Sequence, residues 1–383
     1  MKLFRAKCVT LSLTAPFKAG SKKPMHSPFD FDPGSSSELA GSGRGSGGDS
    51  RRSSGGVSGG VSGGAGLVTT TGGAVSGAQQ PIEGDETGPA FTHIASPAAP
   101  LPVLVAVPHA GRAYPAETLL QMRDPSLSQL RLEDRHIDKI GIEIAQATGS
   151  GLLVAHAPRA MLDLNRAHDD VDWDMIEGAR RRASKPKPSL TGTNARARSG
   201  LGLVPRRLPG FGEIWREKLS RGELDRRIDQ IHRPYHEFLG CELERIRDTW
   251  GAALLVDLHS MPPLRPQGDA GVVPRIVIGD RFGASCDNKL ITRAFRFLDD
   301  QGCNAAHNRP YSGGYVLDRH ASPPRGIHAV QIEVCRSTYL DDRLSGVTGA
   351  VKPLARMLAG LVRELGAETA QLGGAGEVKQ AAE

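Results

Sequence analysis

The chain has 383 residues, of which 39% are hydrophobic and 23% charged, and its formal net charge at pH 7 is +6. This length suits one large or two ordinary domains, and the apolar content is sufficient for a sizeable core over most of the chain. Five cysteines are scattered without C-x-x-C spacing. This scattered arrangement argues against a disulfide framework or a cysteine zinc cluster, and it favours a reducing, cytoplasmic compartment.

The N-terminal residues 1–96 are predicted to be disordered. Between about residues 34 and 88, Gly and Ser dominate and large apolar side chains are nearly absent, so too little surface can be buried to offset the entropy cost of ordering. The first residues carry a short apolar stretch diluted by Thr and Ser, which is a poor signal peptide and too short to span a membrane. We therefore expect a chain that starts near Pro97 to fold and to remain active.

Residues 97–368 alternate between apolar runs typical of buried strands and amphipathic stretches typical of helices. The predicted strands are 101–109, 151–159, 253–260, 274–280 and 328–336. The predicted helices are 132–149, 285–301 and 347–365, together with a long helix that begins after Ser220. Ser220 and Glu223 are predicted to cap this long helix, and Pro234 is predicted to kink it. This alternation predicts an α/β fold with a mixed, mostly parallel sheet flanked by helices. Residues 369–383 are predicted to be a flexible tail.

A basic segment interrupts this domain and is predicted to be an insertion over about residues 178–212. Nine Lys or Arg and no acidic residue lie between Arg180 and Gly210, together with Pro and Gly. Charged segments of this kind are usually solvated loops, whereas a more specific interpretation is a basic lid over an anionic substrate. No aromatic residue interleaves with these charges and no recognition-helix pattern occurs, so we do not expect a nucleic-acid-reading surface.

Polar side chains end or interrupt three of the predicted strands. His109 ends the first strand, His259 lies at the end of the strand 253–260, and Glu333 lies within the last strand. Polar groups on buried strands are costly unless they are paired or bind a metal. Because the carboxyl ends of the strands form the usual binding crevice of such sheets, a divalent metal would satisfy all three side chains. Zinc is the expected ion, since it favours imidazole and carboxylate ligands.

The motifs around these residues resemble those of the N-formylglutamate amidohydrolases. The resemblance runs from about Leu101 to Leu340. It rests on the ordered stretches VPHAGRAYP, EDRHID, LDLNR, GLGLVPR, HRPYH, VDLHSMP, IGDRFGASC, NRPYSGGYVLDRH and HAVQIEVCRSTYL. Ala110 stands where the family has Ser. That family is in turn similar to the zinc carboxypeptidase and aspartoacylase group, so the resemblance implies a zinc-exopeptidase-like catalytic domain.

The resemblance also implies roles for the strand-end residues. His109 and His259 match the two histidine metal ligands, and Glu333 matches the general base that acts on water. Asp257 lies two residues before His259 on the same side of the strand, so it is expected to orient that ring.

The third metal ligand is less clearly marked in the sequence. In the similar enzymes a carboxylate follows the first histidine by three residues, but this chain has Arg112 at that position. The resemblance implies Asp134 as the substitute, at the start of the helix 132–149, with Glu133 and Asp138 as alternatives. An acidic residue in a first turn is also favoured by the helix dipole in the absence of any metal.

Substrate binding is expected at Asn165 and Arg166, which match the pair that binds a substrate carboxylate in the similar enzymes. A guanidinium suits that task because its fork meets both carboxylate oxygens. Formylglutamate has a second carboxylate, for which the candidate cations are Arg112, Arg309 and Arg336. Tyr311 is expected to donate to the oxyanion or the substrate. His232 and His236 are expected to line the pocket wall or cap neighbouring loops.

The resemblance implies hydrolysis of N-formyl-L-glutamate to formate and L-glutamate, a late step of histidine degradation. One alternative is a metallohydrolase of another N-acyl amino acid or a small peptide. Another is a noncatalytic protein that binds anions or nucleic acid through the basic segment. The expected partner is a small anionic substrate, with neither membrane nor nucleic acid involved.

Overall fold

A computed structural model describes residues 89–95, 99–178, 194–265 and 273–374 of the chain. The strands of its main sheet are β1 (Phe91–Ile94), β2 (Val103–Val107), β3 (Gly151–Ala155), β6 (Ala253–Met261), β7 (Ile276–Gly279), β8 (Ala305–His307) and β9 (Ile327–Cys335), and a separate hairpin consists of β4 (Arg207–Leu208) and β5 (Gly212–Glu213). The main sheet has seven strands in the order β1-β3-β2-β6-β9-β7-β8. Neighbouring strands are parallel except for the pairs β1–β3 and β7–β9. The prediction of a mixed, mostly parallel sheet is confirmed.

Helices cover both faces of this sheet. The α-helices are α1 (Ala116–Gln121), α2 (Pro125–Leu132), α3 (Ile137–Thr148), α4 (Asn194–Arg198), α5 (Arg221–Arg227), α6 (Arg233–Trp250), α7 (Asn288–Asp300), α8 (Tyr315–His320) and α9 (Val351–Leu372). One face of the sheet packs against α3, α7 and α9, and the opposite face against α5, α6 and α8. Within the described ranges, no helix has both the length and the apolar character needed to cross a lipid bilayer.

Strand β2 shows why the apolar runs have no polar face. Val103, Val105 and Val107 belong to the core on the α3 side, whereas Leu104 and Ala106 belong to the core on the α6 side. All five side chains are fully buried. Successive side chains of a strand point to opposite faces, so a strand covered on both sides must be apolar at every position.

The predicted helices form, with shifted ends. Leu132 ends α2 and α3 begins only at Ile137, so Asp134 lies in the connecting loop instead of inside a helix. His136 in that loop has a φ of 62°, a left-handed conformation that is uncommon for a residue with a side chain. The predicted end of the helix at Gly149 is confirmed, with a φ of 69°.

The long helix after Ser220 is continuous. The Ser220 hydroxyl accepts the backbone N–H of Glu223 at 3.1 Å, which confirms the predicted cap. A π turn over Ile228–His232, directly before Pro234, joins α5 to α6. Proline supplies no N–H for the carbonyl four residues earlier, so the hydrogen-bond ladder widens one turn before it.

Strand β1 corrects the predicted domain boundary at residue 97. Phe91 is 1% exposed, and its ring packs edge-on against Tyr235 with the centroids 5.7 Å apart. The whole strand pairs with β3, so a chain starting at Pro97 loses core contacts. The four-residue strand was too short to show a clear apolar pattern. The disorder expected for residues 1–88 lies outside the described residues.

Two other predicted boundaries also change. Helix α9 continues to Leu372, past the expected start of the tail at residue 369, and residues 375–383 lie outside the described part. In the basic segment, residues 179–193 also lie outside it. The rest of that segment contains α4 and the β4–β5 hairpin, and its Leu203, Val204 and Leu208 are buried. These apolar side chains anchor residues 194–212 to the core, whereas the charged Arg196, Arg198 and Arg207 are exposed, as expected for a solvated segment.

Candidate active site

The carboxyl ends of β2, β6 and β9 open into a cavity of about 960 Å³. His109 follows β2, His259 and Ser260 lie near the end of β6, and Glu333 and Arg336 mark the end of β9. The predicted strand-end crevice therefore exists, and it contains the polar residues that the sequence singled out.

Three buried side chains converge at the floor of this cavity, and we call His109, Asp134 and His259 the ligand group. Their candidate ligand atoms all lie within 4.8 Å of one another. Oδ2 of Asp134 lies 3.1 Å from Nδ1 of His259 and 3.7 Å from Nδ1 of His109. The backbone N–H of Asp134 also donates to the carbonyl of His109 at 2.9 Å, which holds the loop before α3 against the end of β2.

Glycine at position 111 allows the chain to turn directly after His109. A Cβ on Gly111 would lie 2.2 Å from the carbonyl oxygen of Ala157, closer than atoms can approach. The turn after β2 therefore packs backbone against backbone, which fixes where His109 leaves the sheet.

A carboxylate holds the far nitrogen of each histidine. Nε2 of His109 lies 2.7 Å from Oδ1 of Asp163, and Nε2 of His259 lies 2.8 Å from Oδ2 of Asp257. Burial would raise the pKa of Asp163, but Arg159 and His109 outweigh it and hold that pKa well below its usual range. Because an ionised carboxylate only accepts hydrogen bonds, each Nε2 donates. The orienting role predicted for Asp257 agrees with this contact.

The ligand group fits a divalent cation. When Nε2 carries the hydrogen of a neutral imidazole, Nδ1 carries a lone pair, and here both Nδ1 atoms face an oxygen of Asp134. Nδ1 of His109 is buried with no hydrogen-bond partner among the described residues. Lone pairs that converge without a cation are unfavourable. Burial opposes the charged form of His259, yet Asp257 and Asp134 raise its pKa well above the usual value. A proton or a metal ion is thus favoured at this point.

The geometry separates Asp134 from the two alternative third ligands. Glu133 pairs with Arg135 at 3.0 Å, and Asp138 pairs with Arg112 at 2.8 Å. Neither belongs to the ligand group. This arrangement supports Asp134 as the third metal ligand, although this residue lies in a loop and not in the first turn of a helix.

Arg336 holds the second oxygen of Asp134. Its Nη2 donates to Oδ1 of Asp134 at 3.0 Å and its Nε donates to the hydroxyl of Ser260 at 3.1 Å, while Nη1 donates to the carbonyl of Leu130 at 3.3 Å. All three nitrogens are therefore engaged inside the protein. Arg336 lines the cavity, but these contacts show that its guanidinium orients Asp134, and its expected binding of a substrate carboxylate stays a prediction.

Glu333 lies directly beside His259 across the parallel pair β6–β9. Its Oε1 accepts from Nε2 of Gln331 at 2.9 Å. Burial raises the pKa of Glu333 to about 7. A carboxylate with such a pKa at the edge of the ligand group has the position and the basicity of a general base.

Asn165 and Arg166 line the cavity, and two buried histidines support their loop. Nε2 of His232 donates to the carbonyl of Arg166 at 2.9 Å, and Nε2 of His236 donates to the carbonyl of Leu164 at 3.0 Å. The expectation that these histidines cap a neighbouring loop is confirmed. The amide of Asn165 is largely engaged, since its oxygen accepts the N–H of Val316 at 3.0 Å.

Seven arginines line the cavity: Arg131, Arg159, Arg166, Arg196, Arg281, Arg319 and Arg336. Arg112 and Arg309, expected as cations for the second carboxylate, are not among them. Arg112 points toward Asp138 and Arg309 is exposed, so both expectations are corrected. Tyr311 lies where it was expected, half-buried in the cavity wall.

Comparison with known proteins shows the family of the chain. Residues 101–340 match the family model described as N-formylglutamate amidohydrolase. The chain belongs to this family. It is 32% identical over 248 residues to an N-formylglutamate deformylase of Pseudomonas putida, covering 63% of this chain and 83% of that protein. It is 30% identical to an N-formylglutamate deformylase of Pseudomonas aeruginosa, covering 69% of this chain and 91% of that protein.

Among solved structures, the chain is similar to the N-formylglutamate amidohydrolase of Ralstonia eutropha. The TM-score is 0.62 at 28% identity, and the match covers 74% of this chain and 97% of that structure. The family is therefore one of amide hydrolases, and the chain spans most of the length of these relatives.

Within this N-formylglutamate amidohydrolase fold, three residues in or directly behind the cavity wall escaped the sequence analysis. Asp163 holds His109, Arg159 donates to Oδ2 of Asp163 at 2.9 Å, and Gln331 bridges Asn165 and Glu333. Arg159 was placed inside a strand predicted to run to residue 159, whereas β3 ends at Ala155. A charged residue closing an apolar run was the signal that could have identified it.

Proposed function

We propose that this protein is a metal-dependent amidohydrolase that cleaves N-formyl-L-glutamate to formate and L-glutamate, as a late step of histidine degradation in the cytoplasm. The observation that carries the proposal is the convergence of His109, Asp134 and His259 beside Glu333. The names of the bacterial relatives support the substrate. The expected ion is zinc, since imidazole and carboxylate are ligands that it favours.

His109, Asp134 and His259 would hold the metal, which supplies Lewis acidity for the formyl carbonyl and for the attacking water. Glu333 takes a proton from that water while the oxygen attacks the formyl carbon. Its raised pKa then allows it to return the proton to the departing amine nitrogen. Gln331 holds one oxygen of Glu333 and leaves the other available for this transfer.

The cavity wall supplies groups for the substrate. Arg166 has its Nε and Nη1 bound to backbone carbonyls at 3.0 and 2.7 Å, so its guanidinium is fixed in place, and no described residue accepts from its Nη2. We assign to Arg166 the binding of the substrate α-carboxylate, with Asn165 beside it. Tyr311 is the proposed donor to the oxyanion.

The direct test is formate release from N-formyl-L-glutamate by the full chain, before and after chelation and after zinc is restored. We expect activity that disappears with the metal and returns with it. Release that survives complete removal of the metal would contradict the proposed chemistry.

A second candidate substrate class is favoured by the size of the cavity, whose 960 Å³ exceeds what one small dicarboxylate fills. It comprises longer N-acyl amino acids or small peptides. Comparing kcat/KM for N-formyl, N-acetyl and N-succinyl glutamate decides between the two. A preference for the longer acyl group would replace formylglutamate as the main substrate.

A further inference from the structure

The cavity arginines differ in whether their guanidinium groups already have interaction partners within the protein. Arg159, Arg281 and Arg336 each pair with a carboxylate at 3.0 Å or less. Arg319 donates to the hydroxyl of Tyr315 at 2.7 Å, and Arg131 lies over the ring of Phe211 at 4.5 Å from its centroid. These five guanidinium groups therefore have partners within the protein.

Arg196 is different. It lies on α4, its side chain is exposed to the cavity, and it makes no side-chain hydrogen bond or ion pair with the described residues. Arg196 and Arg166 line the same cavity. Burial lowers the pKa of Arg166, and the positive charges of Arg159 and Arg196 lower it further. Two cations in one cavity, of which Arg196 has no ion pair with the described residues, create a positive potential that attracts an anion.

The wall that carries Arg196 is fixed in place. The backbone N–H of Leu201 donates to the carbonyl of Arg196 at 2.9 Å, and the N–H of Leu203 donates to the Asp170 carbonyl at 2.7 Å. Arg166 itself donates from Nε to the carbonyl of Leu201 at 3.0 Å. The segment that presents Arg196 is therefore bound to the same loop that presents Arg166, which sets the spacing between the two cations.

We propose that Arg196 is a specificity-determining residue that binds the side-chain carboxylate of the substrate, while Arg166 binds the α-carboxylate common to all N-acyl amino acids. The preferred substrates are then N-acyl derivatives of dicarboxylic amino acids. This inference rests on the proposed function, and it replaces Arg112, Arg309 and Arg336 as the source of the second cation.

The test compares N-formylglutamate with N-formylglutamine, which has the same shape without the second charge. Arg196→Ala is expected to lower kcat/KM for N-formylglutamate by about tenfold, the low end for a hydrogen bond to a charged group, because Arg196 is partly open to water. The value for N-formylglutamine should stay unchanged. Arg196→Lys should keep part of the preference, since a point charge attracts the carboxylate without the bidentate geometry.

Arg198→Ala is the matched control, because Arg198 is an exposed arginine on the same helix that does not line the cavity. It should leave both substrates unaffected. Raised ionic strength should reduce the preference of the wild type for N-formylglutamate and leave Arg196→Ala unchanged.

Equal losses on both substrates in Arg196→Ala would overturn the proposal by showing a structural role, and an unchanged preference would overturn it directly. Failure of the wild type to hydrolyse either compound is a different result, because it contradicts the proposed function itself.

Discussion

The two ends of the cavity are built in opposite ways. At the inner end, defined by the ligand group with Asp163 and Asp257, each side chain is at most 3% exposed and each histidine is held by a carboxylate. At the mouth, defined by Arg131, Arg196 and Phe211, the side chains are exposed and share a single stacking contact; Phe211 is 51% exposed.

The buried inner end suits catalysis, and the exposed mouth suits substrate selection. Catalytic groups must be held within a fraction of an ångström, which requires buried and mutually bound partners. Groups that select a substrate act through charge over a longer range and tolerate solvent. We therefore expect changes at the inner end to alter rate or metal binding by orders of magnitude, and changes at the mouth to have small effects.

The largest effect is expected from Glu333→Gln. The amide keeps the shape and the contact with Gln331 but cannot take a proton from water, so kcat should fall by roughly 10²–10⁴-fold. Metal content should stay at the wild-type level, because Glu333 is not one of the ligand group. Steady-state kinetics and metal analysis on the same sample check both points, and a variant with normal kcat would remove Glu333 from the proton transfer.

A smaller loss is expected when the carboxylates behind the histidines are neutralised. Asp163→Asn and Asp257→Asn leave each imidazole in place with a weaker acceptor, so metal affinity should fall by about 10–100-fold. Competition with a chelator of known affinity measures this loss. Asp318→Asn is the control, since Asp318 lines the cavity but pairs with Arg281. An affinity unchanged in both test variants would show that the inner carboxylates are not needed to orient the ligands.

The comparison also shows which parts could be predicted from the sequence. His109, His259 and Glu333 end or interrupt apolar runs, and the α/β alternation indicates that such positions meet at one edge of the sheet. Asp163 could not be assigned because it is 54 residues from His109 and no local pattern connects them. The contact of Arg336 with Asp134 could not be predicted for the same reason, because the two residues are 202 positions apart.

The mouth was harder to predict for another reason. A charged segment with Pro and Gly has the same composition whether it is solvated or forms a wall. The buried Leu203 and Leu208 decide between these structures, and their contacts form only in the folded chain. Strand β1 was missed because four residues carry too little periodicity.

The stability of the fold should also depend on pH. Burial lowers the pKa of His232 to about 4 and that of His320 to about 3, below the usual 6.5. The unfolded chain then binds more protons below pH 6.5, so the free energy of unfolding should fall as the pH decreases from 6.5 to 4, by about 1.4 kcal/mol per pH unit for each such histidine.

His232→Gln isolates one of these groups, because its amide can still donate to the carbonyl of Arg166 but does not titrate. Urea unfolding between pH 7 and pH 4.5 should show a shallower acid dependence for the variant than for the wild type. Parallel curves would contradict the idea that His232 must stay neutral.

The smallest effect is expected at the mouth. Phe211→Ala removes the exposed ring under Arg131, a contact worth about 0.5–1 kcal/mol, so stability should change little and kcat should stay at the wild-type level. Phe282→Ala is the control, since that ring is 69% exposed and does not line the cavity. A large loss of kcat in Phe211→Ala alone would show that the mouth takes part in the chemistry.

The most direct test of the central claim is the metal content of purified ligand-group variants. We expect the wild type to hold a stoichiometric divalent ion that His109→Ala, Asp134→Ala and His259→Ala each lose. Glu133→Ala and Asp138→Ala should keep it, because both carboxylates pair with arginines outside the ligand group. Wild-type metal content in His109→Ala or His259→Ala would contradict the assignment of the inner end as a metal site.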